Sequence, residues 1–245
     1  MSTRQSNQRI PVAVLTGVLG SGKTTILRHL MESHALSRTL VIINEFGEVG
    51  LDHQLVSHVD DDTVVALSSG CICCTIRGDL AETLARAPGR YARGGKRWFD
   101  RVIIETTGIA DPAPILQTLL AEPAVLRHYA MARVLTTVDA VNGESALAAY
   151  PEAVKQIGVA DQLLITKTDL VTPAHLAALR RGLEELAPMA KVELIKHGVA
   201  SSAHFFSGGP WLLEAHSPDV ATWLAEESQH DEPHTGEGMK SHHNS

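Results

Sequence analysis

Residues 11–30 read PVAVLTGVLGSGKTTILRHL, and this stretch decides the fold. An apolar, β-branched run ends at Gly17, a glycine-rich turn follows, and from Lys23 apolar residues recur at helical spacing. Gly17-Val18-Leu19-Gly20-Ser21-Gly22-Lys23-Thr24 is therefore G-x-x-x-x-G-K-T with a strand before it and a helix after it. Small residues let the backbone N–H groups turn inward around phosphates, and the positive end of the helix adds attraction. In that arrangement Lys23 neutralises the β- and γ-phosphate oxygens, and the Thr24 hydroxyl ligates Mg²⁺. The chain is expected to bind a nucleotide.

Outward from this loop the pattern repeats. Strands read at 39–44, 63–67, 98–105, 132–139, 161–166 and 191–195, with helical stretches at 23–34, 76–87, 112–121 and 173–187 between them. The strands are continuous apolar runs, as expected where helices cover both faces of a sheet. Strand–helix alternation predicts an α/β fold: a three-layer P-loop NTPase with a doubly wound, mostly parallel sheet and helices on both faces. The expected organisation is a disordered N-terminus over 1–9, a nucleotide-binding domain over 10–208, a helical linker over 209–228 and a His-rich tail over 229–245. That tail carries His230, His234, His242 and His243 and is too polar to bury a core of its own.

Composition excludes several classes. The chain has 245 residues, enough for a core without disulfide staples, and a net charge of −7, which argues against a nucleic-acid partner. No apolar run reaches about 18 residues, so no membrane span is expected. The N-terminal residues lack a long apolar stretch followed by a small-residue cleavage site, so a cytoplasmic location is expected. The 3 cysteines fall together as Cys71, Cys73 and Cys74, which rules out a disulfide framework.

Glu105 closes the apolar run VIIE and precedes Thr106-Thr107-Gly108. A carboxylate there sits at the C-terminal edge of the sheet, near Mg²⁺ or its water. The Gly108 N–H can approach the γ-phosphate because glycine leaves the backbone bare. A later strand ends in Thr166-Lys167-Thr168-Asp169. A carboxylate at Asp169 can accept from guanine N1–H and the 2-amino group, donors that adenine lacks. The Lys167 stem can lie across the purine. Thr166 stands where most guanine-binding proteins carry Asn.

The cysteines lie in Ser69-Gly70-Cys71-Ile72-Cys73-Cys74, between a strand and a helix. Three thiolates around one ion suit Zn²⁺, with Co²⁺ or another late divalent ion as alternatives. A redox switch and buried apolar cysteines are the competing readings. The preceding loop, Asn44-Glu45-Phe46-Gly47-Glu48-Val49-Gly50-Leu51-Asp52-His53, occupies the position of a nucleotide-sensing switch. Glu45 or Asp52 could reach either metal.

In order along the chain, TGVLGSGKTT, NEFGEVGLDH, GCICCTIRGDL, IIETTGIADP, LTTVDAV and ITKTDL resemble the motifs of the CobW-like metal-chaperone GTPases. The resemblance covers residues from about 10 to 200. It implies a P-loop GTPase that binds a transition metal and delivers it to a client protein or cofactor pathway, with a homodimer among the expected assemblies. On matching positions it assigns phosphate binding to Gly17, Gly20, Ser21, Gly22, Lys23, Thr24 and Thr25. The metal falls to Cys71, Cys73, Cys74 and, more weakly, Glu45, while Lys167 and Asp169 address the base. It also implies a C-terminal α/β domain beyond a His-rich linker, a domain expected to be missing here. Other readings of the residues are a nucleotide-gated zinc or redox sensor acting through a partner, and a P-loop small-molecule kinase with structural cysteines.

Overall fold

The computed structural model describes residues 9–45, 64–68, 74–207 and 211–229. Seven strands form one sheet: β1 (Ile10–Gly17), β2 (Thr39–Glu45), β3 (Val64–Ser68), β6 (Arg101–Thr106), β7 (Tyr129–Asp139), β8 (Gln162–Thr166) and β9 (Lys191–Leu194). Their order is β3-β2-β6-β1-β7-β8-β9, and every neighbouring pair is parallel. A short antiparallel hairpin, β4 (Ala92–Arg93) and β5 (Lys96–Arg97), stands apart from the sheet.

The apolar strand runs have the expected physical meaning. Val12, Ala13, Val14 and Leu15 of β1 are all 0% exposed, because successive side chains point into different layers. Val12 and Val14 join a cluster with Leu80 and Leu84 of α2 (Cys74–Arg90) and Ile115, Leu116 and Leu119 of α3 (Ala113–Ala121). Ala13 and Leu15 join the cluster that holds Ile26, Leu27 and Leu30 of α1 (Lys23–Glu32) and Phe205 of α8 (Ala203–Phe206), numbered after α4 (Pro123–Leu126), α5 (Gly143–Ala149), α6 (Pro151–Gly158) and α7 (Pro173–Leu186). A third cluster packs Ile157 of α6 and Leu179 and Leu183 of α7 against Val138, Leu163 and Ile165. The expected α/β sandwich is present.

Sheet polarity positions the site. The chain leaves β1, crosses to β2, and later inserts β6 between them, while β7 joins the other side of β1. The direction of strand addition therefore reverses at β1, and ligands bind outside the carboxyl ends of the strands at such a point.

Some elements differ from the sequence reading. The strand expected over 98–105 enters the sheet only at Arg101. Trp98 and Phe99 are instead buried in an edge-to-face pair with centroids 6.1 Å apart, which holds the chain off the sheet before β6 begins. The alanine-rich segment after β7 forms α5 and α6, divided where Pro151 starts the second helix. The helix expected in the linker exists as α9 (Pro218–Gln229), but it docks on the domain. Val220 and Leu224 are buried in the core cluster, and Gln117 Nε2 donates to the Leu224 carbonyl at 2.6 Å. Among the described residues no helix is long and apolar enough to cross a membrane.

Candidate functional site

A cavity of ≈ 190 Å³ opens at the C-terminal end of β1, lined by Gly20, Gly22, Lys23, Thr24, Thr25, Glu105, Thr107 and Gly108 together with Leu19, Ile43 and Thr106. The loop that walls it needs its glycines. Gly17, Gly20 and Gly22 have φ of 138°, 75° and 98°, values that side-chain-bearing residues rarely adopt. A Cβ on Gly17 would meet the Thr137 carbonyl oxygen at 2.4 Å. α1 then starts directly after Gly22 with no side-chain cap, so its first N–H groups are available to an anion.

Lys23 is 7% exposed and folds back over the loop, its Nζ donating to the carbonyls of Gly17 at 2.7 Å and Val18 at 3.3 Å. Thr24 Oγ1 donates to Glu105 Oε1 at 2.9 Å. Glu105 lies in register between Leu15 and Ile43, which explains why this carboxylate is only 4% exposed. A hydroxyl and a carboxylate side by side at the cavity form an oxygen donor set that suits Mg²⁺. Gly108 packs against the phosphate loop so closely that a Cβ there would lie 2.4 Å from the Leu19 Cα. Beyond it, Asp111 Oδ1 accepts from the Ala113 N–H at 2.9 Å and Oδ2 pairs with Lys155 Nζ at 2.6 Å, holding the loop that carries Gly108.

Lys167 and Asp169, the residues expected to face the base, follow the end of β8 beside the end of β7. Lys167 sits in the left-handed region with φ 55°, and its Nζ donates to Asp139 Oδ2 at 2.6 Å. Asp169 is exposed on the 3-10 turn Thr168–Leu170 that follows. Neither Lys167 nor Asp169 lines the cavity at the phosphate loop. Thr166 Oγ1 donates to the Ser21 carbonyl at 2.8 Å, so this residue ties the end of β8 to the glycine-rich loop. Burial pushes the Asp139 carboxyl up, but the Lys167 ammonium, the Val141 N–H and the Asn142 amide outweigh it and hold the group below the ordinary carboxylate value.

Thr16, Thr106, Thr137 and Asp139 carried no role in the sequence reading. Thr106 Oγ1 donates to Thr16 Oγ1 at 2.8 Å, and the Ser21 and Thr137 hydroxyls are 2.6 Å apart, a buried network beneath the loop. The available signal was a threonine at the C-terminal end of each central strand, Thr16, Thr106, Thr137 and Thr166. Asp139 is the other omission. It stood in the quoted LTTVDAV with no role attached.

The metal residues stand differently. Cys71 and Cys73 lie outside the described residues, and Cys74 is described only as the first residue of α2. Glu45 closes β2 in register with Ser68, the last residue of β3, and its side chain is outside the described set. The strands on either side of Glu45 and before the cysteine segment thus end at the same sheet edge as Glu105. Among the described residues no three His, Cys, Asp or Glu side chains gather as a metal site.

The sequence model of the CobW/HypB/UreG nucleotide-binding domain matches residues 11–193. The chain belongs to the CobW/HypB/UreG family. Within it, the chain is 37% identical over 206 residues to the zinc chaperone YjiA of Escherichia coli, covering 84% of this chain and 63% of that protein. It is 34% identical over 189 residues to the zinc-regulated GTPase metalloprotein activator 1 of Schizosaccharomyces pombe, covering 75% of this chain and 45% of that one. The crystal structure of zinc-bound YjiA GTPase from E. coli matches with a TM-score of 0.57 at 29% identity, over 81% of this chain and 61% of that chain. The chain thus spans about half to two thirds of the length of these curated relatives.

Proposed function

We propose that this chain binds and hydrolyses GTP and uses that cycle to load a transition metal, zinc foremost, onto a client protein. The observation that carries the hydrolytic half is the meeting of Thr24 and Glu105 at the mouth of the phosphate-loop cavity. Lys23 would exchange the Gly17 and Val18 carbonyls for phosphate oxygens, and the Gly17–Thr25 backbone would cradle the remaining charge. Thr24 and Glu105 would hold Mg²⁺, which supplies neutralisation of the phosphate oxygens when bound. Gly108, bare of side chain beside the loop, would bring its N–H toward the γ-phosphate. Lys167 and Asp169 would take the guanine ring and its donor edge. The described chain holds no arginine aimed into the cavity, and slow intrinsic turnover is expected.

The metal is the cargo. Cys71, Cys73 and Cys74, with Glu45 at the neighbouring strand end, would hold Zn²⁺, and Co²⁺ suits the same thiolates. The names of the relatives, a zinc chaperone and a zinc-regulated GTPase activator, support zinc as that cargo and a client metalloprotein as its recipient. β3, which precedes the cysteine segment, ends at the same sheet edge as β1, and metal held close to that edge would bias nucleotide affinity and be biased by it reciprocally. The test is a chelator-competition titration of Zn²⁺ with a GTP analogue and with GDP. Different affinities are expected, and equal ones would sink the coupling. Replacing all three cysteines by Ser should abolish tight zinc binding and spare GDP binding; retained zinc affinity would remove the cysteine assignment.

A further inference from the structure

Lys167 keeps a left-handed backbone, φ 55° and ψ 31°, that residues with a Cβ avoid. Such a conformation persists at a non-glycine position only where the surroundings over-determine it, and it clusters at ligand sites. The surroundings here converge on one carboxylate. Asp139 is 8% exposed, and its Oδ2 accepts from Lys167 Nζ at 2.6 Å. The same oxygen accepts from Asn142 Nδ2 at 3.0 Å, and Oδ1 accepts from the Val141 N–H at 2.8 Å.

The turn carrying Asp139 is anchored in its own right. The Ala140 N–H donates to the Thr166 carbonyl at 3.0 Å, and His175 Nε2 of α7 lies 2.9 Å from the Ala140 carbonyl. Asp139 and Thr166 are register partners, and Thr166 reaches the phosphate loop through the Ser21 carbonyl. The carboxylate is thus fixed relative to the loop that carries Ser21. With its ammonium pinned there, the lysine presents its alkyl stem as a fixed apolar bar.

We propose that Asp139 is a positioning residue for the base: it holds the Lys167 stem where a purine face stacks on it, and it has no part in holding the phosphates. The assignment rests on the reading of Lys167 as a base-side residue. A plain turn cap at Asp139 would answer only the Val141 N–H and the Asn142 amide, two neutral donors that call for acceptors but no charge. The charge is needed for Lys167 alone.

Binding of GDP and of inorganic tripolyphosphate, which has no base, separates the roles. Asp139→Asn and Lys167→Met should each weaken GDP about tenfold, the scale of a charged hydrogen bond, and leave tripolyphosphate affinity unchanged. The double variant should bind GDP no worse than Lys167→Met alone, because both remove one interaction. Asp139→Ser serves as the second variant should Asp139→Asn unfold. Unchanged GDP affinity in the Asp139 variants, alongside a loss in Lys167→Met, would overturn the proposal and leave the base-side reading intact. Unchanged GDP affinity in Lys167→Met would instead remove that reading. Equal losses for GDP and tripolyphosphate in Asp139→Asn would make Asp139 a general support and overturn the proposal.

Discussion

The two edges of the sheet use the same strands to opposite ends. At the carboxyl edge, buried hydroxyls bond to one another beneath the phosphate loop, Lys23 rests on carbonyls of its own loop, and Glu105 accepts a hydrogen bond from the Thr24 hydroxyl. At the amino edge, charges are answered within the chain. Arg38 pairs with Asp100, Arg97 stands 3.9 Å from the same carboxylate, and the Tyr129 hydroxyl donates to the Leu84 carbonyl at 2.8 Å. Arg93 and Arg97 further lie over the rings of Trp98 and Phe99. All seven strands being parallel, every helix that follows a strand starts at one edge, so that edge collects N–H groups for an anion. The other edge has no such task and closes its polar groups upon themselves. Substitutions at the first edge should strike nucleotide chemistry and spare stability; at the second, the reverse.

Glu105→Gln tests the first half most severely. The amide oxygen can still accept from Thr24, so the thermal midpoint should hold, while GTP hydrolysis falls about a hundredfold on loss of the charge. A collapse of the midpoint would show that Glu105 belongs to the core. Tyr129→Phe tests the second half. Burial pushes this phenol far above its ordinary range, and its buried hydroxyl has the Leu84 carbonyl as partner. Its loss should cost about 1 kcal/mol in denaturant unfolding and leave GDP affinity unchanged. A changed GDP affinity would break the separation of the edges.

The smallest effect should come from Asp100→Asn. The hydrogen bond from Arg38 holds the Asp100 carboxyl below its ordinary value, against a smaller opposing push from burial. A depressed carboxylate contributes stability that is present above the unfolded value and lost as pH falls through the folded one. The midpoint gap between wild type and Asp100→Asn should therefore be small at neutral pH, shrink on acidification below the carboxylate range, and shrink with salt. A gap that widens on acidification would place the effect elsewhere.

Much of the carboxyl edge was readable before any coordinates. The phosphate loop is contiguous in sequence, and its glycines, lysine and threonine act through the backbone they themselves build. Continuous apolar strands alternating with helical stretches announced a sheet covered on both faces, where both sides of each strand are buried. Trp98 and Phe99 misled because their β propensity reflects packing, and here they pack beneath the sheet before the strand starts. The apolar face of α9 was legible as that of a short helix, but its seat was not: Val220 and Leu224 join the core cluster, with Trp223 packed against it, only because the folded domain supplies their partners.

What the amino-acid sequence determined alone is the local order of a nucleotide-binding domain: a strand, a glycine-rich loop and a helix, each built from contiguous residues. What required the folded chain is every pairing between distant segments. Thr166 meets Ser21 across 145 positions, Glu105 meets Thr24 across 81, and Lys167 meets Asp139 across 28. A carboxylate's partner is set by strand order and register, and both emerge only when the sheet assembles around β1.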